Sequence, residues 1–299
     1  MEILKLVDVT KQYDKKLAVD KVSFDMPKGC IFGLLGPNGA GKTSLIRIIT
    51  TITGADTGTV YLDGTPIDSD TPSHIGYMPE ERGLYKKMKV GEQLMYLAQL
   101  KGLSARVARE KIMHWFEKFD ILPWWDKKIE ELSKGMQQKI QFISTVVHEP
   151  KLLILDEPFS GLDPLNTNLI KDEIRKLNQA GSSIIFSTHR MEQVEEICER
   201  IILIDNGQKI LEGTVADIKD QFKENLFEIQ YEGALPEDLN NYGTMKSSSG
   251  NSFVIKKMPD QQNNSILQYL IDNDVRIRAY NEILPSLNEI FIRQVEAQS

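Results

Sequence analysis

The sequence predicts an α/β protein: a mixed, mostly parallel sheet with a helical insertion, followed by a small α+β domain. Apolar, strand-length segments at residues 152–155, 183–187 and 201–205 are separated by helical patterns. This alternation is typical of parallel sheets covered by helices on both faces. A glycine-rich turn follows an earlier apolar segment and opens a helix near Lys42. Beyond about residue 216, short strands and helices indicate a second domain.

The first domain is expected to span residues 1–216. Its early strands are predicted at residues 3–9, 17–24, 30–35 and 59–62. Residues 90–119 instead carry apolar side chains at helical spacing, with Ser104 as a candidate N-cap. They predict a helical subdomain over about residues 86–150. Further helices are predicted at residues 164–179 and 191–199.

The second domain, residues 217–299, is expected to be a ββαβα module. Its elements are predicted at residues 227–233, 252–258, 261–274, 275–280 and 284–295. The serine-rich segment between its first two strands has the composition of a turn or loop. Nothing in this module resembles a catalytic cluster, so its role stays open between dimerisation, control of the first domain and binding of a regulator.

Composition narrows the classes of function. A hydrophobic content of 41% supports a folded core, and the net charge of −7 argues against general attraction to nucleic-acid phosphates. Cys30 and Cys198 match no metal-ligand spacing and are expected to be buried thiols in a reducing compartment. We find no secretory signal and no apolar run of about 20 residues. Any action on a membrane is therefore expected to require another chain.

Residues 36–43, GPNGAGKT, match the pattern G-x-x-x-x-G-K-[ST] after a predicted strand. Glycines let the backbone N–H groups of such a loop turn inward around phosphate oxygens, and the next helix N-terminus favours an anion. Lys42 would reach the β and γ phosphates, and the Thr43 hydroxyl would bind Mg²⁺. A chance glycine-rich turn is the alternative, against which the strand–loop–helix context argues. The predicted phosphate-binding residues are Gly36, Pro37, Asn38, Gly39, Ala40, Gly41, Lys42, Thr43 and Ser44.

Four later segments narrow the interpretation, because a phosphate loop alone also fits kinases, GTPases and many other ATPases. They are ELSKGMQQK at residues 131–139, LLILDEP at 152–158, SGLD at 160–163 and STH at 187–189. In this order they resemble the motifs of the ATP-binding subunits of ABC transporters, over about residues 1–216. The resemblance implies the P-loop NTPase fold of ABC ATPases, with ATP and Mg²⁺ as ligands. The C-terminal module resembles that of sodium-export-type and related ABC-2 ATPases.

Three residues after buried strands are the candidates for chemistry, together with Lys42. Asp156 ends an apolar strand, where its carboxylate could orient the Mg²⁺ shell, and Glu157 is the candidate base for the attacking water. The alternative is an acidic pair in solvent. The resemblance implies that His189 contacts the γ-phosphate and the water. A structural histidine near a helix start is the alternative.

Four further residues are nucleotide-binding candidates through the resemblance. Ser133 and Gly135, in the segment at 131–139, are implied to bind the γ-phosphate held by another subunit, which predicts a head-to-tail dimer. Asp163 is implied to communicate across the same interface, and Tyr13 to stack on adenine. Ser133 and Asp163 also fit ordinary helix N-caps, and Tyr13 fits a half-buried residue at a strand end.

The sequence departs from the family pattern at several positions. Glu80 stands where the family has a glutamine that binds Mg²⁺; a carboxylate can serve as an oxygen ligand but adds negative charge near the phosphates. A local ion pair between Glu81 and Arg82 is the structural alternative for this patch. Lys134 and Met136 replace the usual Gly and Gln of the motif, and Lys134 fits a contact with the opposing nucleotide or a solvated side chain equally well.

The expected function is an ATP-hydrolysing subunit of an exporter. It would dimerise with a second copy or a similar ATPase on the cytoplasmic face of the membrane, and drive a separate transmembrane permease. Residues 83–100, which include Leu84, Tyr85 and Met88, are the candidate docking face for that permease. The rival is a soluble ABC-type ATPase that acts on nucleic acid or ribosomes. A catalytically dead regulatory subunit is a third possibility, which the presence of Lys42 and Glu157 disfavours.

Overall fold

A computed structural model of the chain describes residues 1–81, 83–258, 262 and 264–296. The suggested ion pair between Glu81 and Arg82 involves a residue outside these ranges. The chain divides into two compact units, Met1–Val215 and Ala216–Ser299. Among the described helices, none is both long enough and apolar enough to cross a membrane.

The first unit contains two sheets. Its strands are β1 (Glu2–Tyr13), β2 (Lys16–Pro27), β3 (Ile31–Leu35), β4 (Thr57–Leu62), β5 (Thr65–Pro66), β6 (Ile75–Met78), β7 (Leu152–Asp156), β8 (Ser183–Ser187), β9 (Arg200–Asp205) and β10 (Gln208–Thr214). Its helices are α1 (Lys42–Ile49), α2 (Val90–Leu100), α3 (Ala105–Lys118), α4 (Lys134–Val146), α5 (Pro164–Gln179) and α6 (Met191–Ile197); α7 (Val215–Gln221) follows at the junction of the units.

The six-stranded sheet has the order β10-β9-β3-β8-β7-β6. Every pair from β9 to β6 is parallel, and β10 joins β9 antiparallel. Strands β3, β7 and β8 are buried along their whole length, which explains why their sequences are apolar runs without alternation. This confirms the predicted mixed, mostly parallel sheet. Strands β6 and β10 are additions to the prediction.

The second sheet of this unit is antiparallel, with the order β2-β1-β4-β5. One hydrophobic core joins side chains of both sheets and of α1, with Phe32, Ile46 and Ile154 among its fully buried members. Phe24 of β2 stacks on Phe32 of β3 with ring centroids 5.4 Å apart. This packing supports the phosphate loop, which connects β3 to α1.

The helical insertion consists of α2, α3 and α4, as expected. The Ser104 side chain caps α3 by accepting a hydrogen bond from the Val107 N–H at 3.4 Å. Trp115 and Phe116 of α3 are buried, and Trp115 packs edge-on against Phe142 of α4 with centroids 5.9 Å apart. The insertion therefore has an aromatic core of its own, from which α4 extends toward the main sheet.

The second unit has one antiparallel sheet, in the order β12-β13-β11-β14. Its elements are β11 (Leu226–Glu232), β12 (Gly243–Ser249), β13 (Ser252–Lys257), α8 (Ser265–Asp272), β14 (Arg276–Ile283) and α9 (Leu287–Glu296). Strand β12 is an addition to the predicted ββαβα order. It lies at the sheet edge with mostly exposed side chains, so it carries no apolar alternation that a sequence pattern could detect.

Candidate functional site

The carboxyl ends of parallel strands β3, β7 and β8 meet at one edge of the six-stranded sheet. Strand β3 runs into the loop at residues 36–41, β7 ends at Asp156, and β8 ends at Ser187, directly opposite Asp156. A cleft of about 320 Å³ opens at this edge. Side chains from three separate segments therefore converge where ligands commonly bind in open α/β sheets.

The cleft brings together most of the predicted site residues. It is lined by Tyr13, Lys16, Ala18, Asn38, Gly39, Gly41, Lys42, Thr43, Ser44, Glu80, Asp156, Glu157 and His189. Gly36, Pro37 and Ala40 belong to the same loop but are not among the lining residues; Gly36 and Ala40 are buried. Ser133, Gly135 and Asp163 are not among the described residues that line the cleft.

Two glycines give the loop its shape. Gly36 has φ 150°, and a β-carbon there would lie 2.1 Å from the Ile204 carbonyl oxygen. Gly41 has φ 110°, and its β-carbon would lie 2.2 Å from the Ala18 carbonyl oxygen. Gly41 also occupies the N-cap position of α1, so no capping side chain competes for the first N–H groups of that helix. They are left for a ligand anion.

Lys42 is folded into the loop. Its Nζ donates to the carbonyl oxygens of Gly36 at 2.7 Å and Pro37 at 3.0 Å. Burial lowers the pKa of Lys42, while the nearby carboxylates of Asp156 and Glu157 oppose that shift. The ammonium thus lies inside the loop, facing the acidic side of the cleft.

Three carboxylates, those of Glu80, Asp156 and Glu157, line the cleft near Lys42. Asp156 is 7% exposed, and burial raises its pKa; the charges of Glu80 and Glu157 add to that shift, whereas the neighbouring Ser187 side chain and the charge of Lys42 oppose it. Accumulated negative charge of this kind is stabilised by a cation. Within the described part of the chain, no preformed cluster of three His, Cys, Asp or Glu ligands is present. Any cation here would need further oxygen ligands, from the Thr43 hydroxyl and from a bound anion.

Glu157 is held by the segment after β8. Its Oε1 accepts hydrogen bonds from the His189 N–H at 2.8 Å and lies 2.6 Å from His189 Nδ1. Its Oε2 accepts from the Thr188 hydroxyl at 3.1 Å. The Glu157 side chain is 13% exposed and that of His189 64%. A carboxylate paired with an accessible imidazole can orient a water and exchange its proton.

The remaining predicted binding residues lie at other helix starts. The Ser133 side chain caps α4 by accepting from the Met136 N–H at 3.3 Å, and Asp163 caps α5 by accepting from the Asn166 N–H at 2.9 Å. That bond is the largest cause of the lowered pKa of Asp163. Both residues thus act as helix caps, and capping does not prevent either of them from also contacting a second molecule.

Tyr13 stands at the rim of the cleft, 38% exposed, with Lys11 Nζ 5.6 Å from its ring centroid. Sequence reasoning missed two residues nearby. Lys16 also lines the cleft, and Thr188 reaches Glu157. Thr188 lay inside the motif at 187–189, which could have suggested it; Lys16 lies three residues after Tyr13, in the segment that the resemblance assigns to the adenine contact.

Comparisons with known proteins agree with this geometry. The ABC transporter family model matches residues 19–160, and the model of the C-terminal domain of DrrA1-3-like ATP-binding proteins matches residues 213–295. The uncharacterized ABC transporter ATP-binding protein YhaQ of Bacillus subtilis strain 168 is 41% identical over 99% of both chains.

Two further similarities extend this result. The Nod factor export ATP-binding protein I of Sinorhizobium fredii strain NGR234 (NBRC 101917) is 32% identical over 97% of this chain and 85% of its own. A solved structure of an ATP-binding subunit of an ABC transporter is 29% identical, with a TM-score of 0.69 over 74% of this chain and 93% of that one.

Proposed function

The chain belongs to the ATP-binding subunits of ABC transporters and is an ATP hydrolase, and on that premise we propose that two copies close head-to-tail on ATP to drive an exporting permease. The observation that carries the proposal is the pairing of Glu157 with His189 across the cleft from Lys42. Base, imidazole and phosphate-binding lysine come from three different strand ends and face one cavity.

ATP is bound along the cleft from Tyr13 to the phosphate loop. The exposed Tyr13 ring stacks on adenine, and the N–H groups of residues 36–44 surround the β and γ phosphates. Lys42 exchanges its loop carbonyl partners for phosphate oxygens, which are stronger acceptors because they are charged.

Mg²⁺ is the cation that this donor set fits. Thr43, Asp156 and Glu80 offer hydroxyl and carboxylate oxygens, the ligand type that Mg²⁺ prefers, and the site needs substrate phosphates to complete its shell. When bound, the ion neutralises charge that develops on the phosphates. The Glu80 side chain is exposed, whereas Asp156 is buried, so Asp156 is the more rigidly held of the two carboxylate ligands.

Hydrolysis uses the pair that faces the γ-phosphate position. Glu157 orients the attacking water and takes up its proton, and His189 binds the γ-phosphate and the water. The 2.6 Å contact between them places both groups at the same end of the cleft. Positioning and charge neutralisation supply the rest of the rate enhancement.

The dimer follows from what the cleft lacks within one chain. Ser133, Gly135 and Asp163 stand at helix starts outside the described cleft, although the family resemblance assigns them to ATP. A second copy, turned head-to-tail, brings these N-termini onto the γ-phosphate. A helix N-terminus is suited to that anion.

A permease is proposed to dock on a groove between the insertion and the main sheet. This groove, of about 330 Å³, includes Leu84, Leu97, Leu100 and Lys101 in its lining. Of the three residues expected to be exposed there, Tyr85 is exposed, at 56%, whereas Leu84 and Met88 are half-buried. The proposed docking face is therefore the groove itself, with the exposed Leu100 in its lining.

Export is favoured over import by the name of the Nod factor export relative. Attachment to the permease would hold the subunit at the cytoplasmic face of the membrane. The rival function, on nucleic acid or ribosomes, has no support from these relatives or from the acidic charge.

The test is ATP-dependent dimerisation of the Glu157→Gln variant, measured by size-exclusion light scattering with and without Mg²⁺. The variant should trap ATP, because binding is retained while water activation is lost. A dimer that needs ATP supports the proposal, and adding Lys42→Ala should return the protein to monomer. A protein that stays monomeric, or dimerises without nucleotide, would contradict ATP-driven closure.

A further inference from the structure

One buried amide joins α4, the helix that begins after Ser133, to the turn that carries the base. Gln138 of α4 is 3% exposed. Its Nε2 donates to the Pro158 carbonyl oxygen at 2.9 Å and lies 3.4 Å from that of Glu157. Because a buried carbonyl requires a donor, this contact anchors the peptide units on either side of Pro158.

The turn needs such an anchor. Glu157 has φ 50°, a left-handed conformation that a non-glycine residue keeps only when its surroundings hold it. Its N–H donates to the Ser187 carbonyl at 2.8 Å, and its carbonyl accepts from the Ser160 N–H at 3.1 Å. Gln138 adds the contact on the α4 side. A displacement of α4 would therefore turn the backbone from which the Glu157 carboxylate projects.

A second approach lies on the same face of α4, three residues earlier. A β-carbon on Gly135 would be 3.4 Å from the Gly161 carbonyl oxygen and 3.7 Å from Leu162 Cδ2. Both distances are ordinary van der Waals contacts, so the start of α4 lies beside the loop at residues 160–163 with room for little more than a methyl group between them.

We propose that Gln138 is a positioning residue that brings Glu157 into place when ATP held by the opposite subunit binds the start of α4. The inference rests on the proposed head-to-tail dimer. The partner's nucleotide shifts α4, Gln138 carries the shift to the Glu157–Pro158 turn, and the base becomes productive at its own site. ATP bound at one site thus positions the base of the other site, through helix α4, which has two positions.

The neighbouring glutamine provides a matched control. Gln137 Nε2 donates to the carbonyl oxygens of Ile129 at 3.2 Å and Leu132 at 3.0 Å, both in the segment that leads into α4. It braces the approach to Ser133 and makes no described contact with the Glu157–Pro158 turn. The two adjacent amides therefore separate binding at the helix start from positioning of the base.

The first experiment compares Gln138→Met with Gln137→Met, since methionine keeps the length of the side chain and removes the donor. Gln138→Met should lower kcat by about 10- to 100-fold while the KM for ATP changes less than about twofold. In a Glu157→Gln background it should still dimerise at the same ATP concentration. Gln137→Met should instead raise that concentration and leave kcat at saturating ATP within about twofold.

An unchanged kcat for Gln138→Met would overturn the proposal, as would a parallel loss of ATP-driven dimerisation. Thermal unfolding of both variants shows whether they fold. If the unsubstituted protein failed to hydrolyse ATP as a dimer, the proposed function would fail instead. The two failures are therefore distinguishable.

The second experiment assigns the direction of action in mixed dimers that carry one Glu157→Gln subunit, so that one base remains. Placing Gln138→Met in the subunit with the intact Glu157 should slow hydrolysis by about 10-fold or more relative to placing it in the Glu157→Gln subunit. Both dimers contain the same two substitutions. Equal rates, or the reverse order, would show that Gln138 does not act on the base of its own chain.

Discussion

Replacing Gly41 by alanine should deform the phosphate loop more than the strain of its positive φ angle alone would. A β-carbon at this position would lie 2.2 Å from the Ala18 carbonyl oxygen, whereas contacts under 3.0 Å essentially never occur. Because the β-carbon would clash with backbone atoms of Ala18, no side-chain rotation can relieve the clash. The loop must move by about 1 Å in a closely packed region.

Gly181 isolates the contribution of φ. It has φ 103°, close to the 110° of Gly41, and an added β-carbon meets nothing within 4 Å. Gly181→Ala should therefore cost about 1–2 kcal/mol in the free energy of unfolding, the penalty for alanine in a left-handed conformation. Gly41→Ala adds the clash, about 1–3 kcal/mol more. Gly39→Ala, with φ 82° and its nearest neighbour Lys16 Nζ at 3.8 Å, places the same strain in the loop without a backbone clash.

Titration with a fluorescent ATP analogue and urea unfolding together provide the test. Gly41→Ala should lose at least about 10-fold in ATP affinity, since a displacement near 1 Å separates several N–H groups from the phosphates at once. Gly181→Ala should bind ATP normally, and Gly39→Ala should fall between the two. Wild-type affinity for Gly41→Ala, with no more instability than Gly181→Ala shows, would refute the reasoning.

Three other predictions concern titrating groups. Burial raises the pKa of Cys30 to about 11 and also raises that of Cys198. Iodoacetamide at pH 8 should therefore label both thiols at least about 100-fold faster in denaturant than in the folded protein. Rapid labelling of the folded protein would contradict this burial. Burial lowers the pKa of His148 to about 4, so the unfolded chain binds the extra proton between about pH 4 and 6.5. About 3 kcal/mol of stability, complete above pH 6.5, should be lost as the pH falls through this window in urea unfolding. His148→Gln should remove that slope, and an unchanged slope would exclude His148 as its source. Asp156→Asn should raise the Mg²⁺ concentration needed for half-maximal hydrolysis about tenfold. In EDTA, the same variant should bind ATP more tightly, because a negative charge near the phosphates is lost. Weaker binding of ATP in EDTA would argue against repulsion by this carboxylate.

The sequence predicted the parts of the fold whose physical signals are local. Strands β3, β7 and β8 are buried on both faces, and burial on both faces produces unbroken apolar runs. The prediction of a helix at residues 164–179 coincides with α5, because Asp163 and Pro164 mark its start. The phosphate loop was detectable because its shape requires glycines at set positions.

The rest depended on contacts between distant segments. Edge strand β12 has a polar, serine-rich sequence, and its pairing with β13 makes it a strand. Lys16 lines the cleft only because β2 passes beside the phosphate loop. The bond from Gln138 to Pro158 spans 20 residues, and nothing in the sequence distinguishes Gln138 from Gln137 beside it. Such side-chain-to-backbone contacts have no sequence period.

The strained backbone at Glu157 depends both on a local sequence signal, the buried strand before it, and on contacts with distant segments. Most other described non-glycine residues with positive φ are aspartates and asparagines, which tolerate this region; Glu157 is a longer residue, directly after a buried strand. Regular extension of β7 would point its side chain away from that of Asp156, on the opposite face of the sheet. The left-handed turn instead keeps both carboxylates in one cleft, where Asp156 can face a cation and Glu157 can reach His189. The backbone cost is offset by the bond that the Glu157 N–H donates to the Ser187 carbonyl and by those that its carboxylate accepts from Thr188 and His189, so the strain is part of how the base is placed.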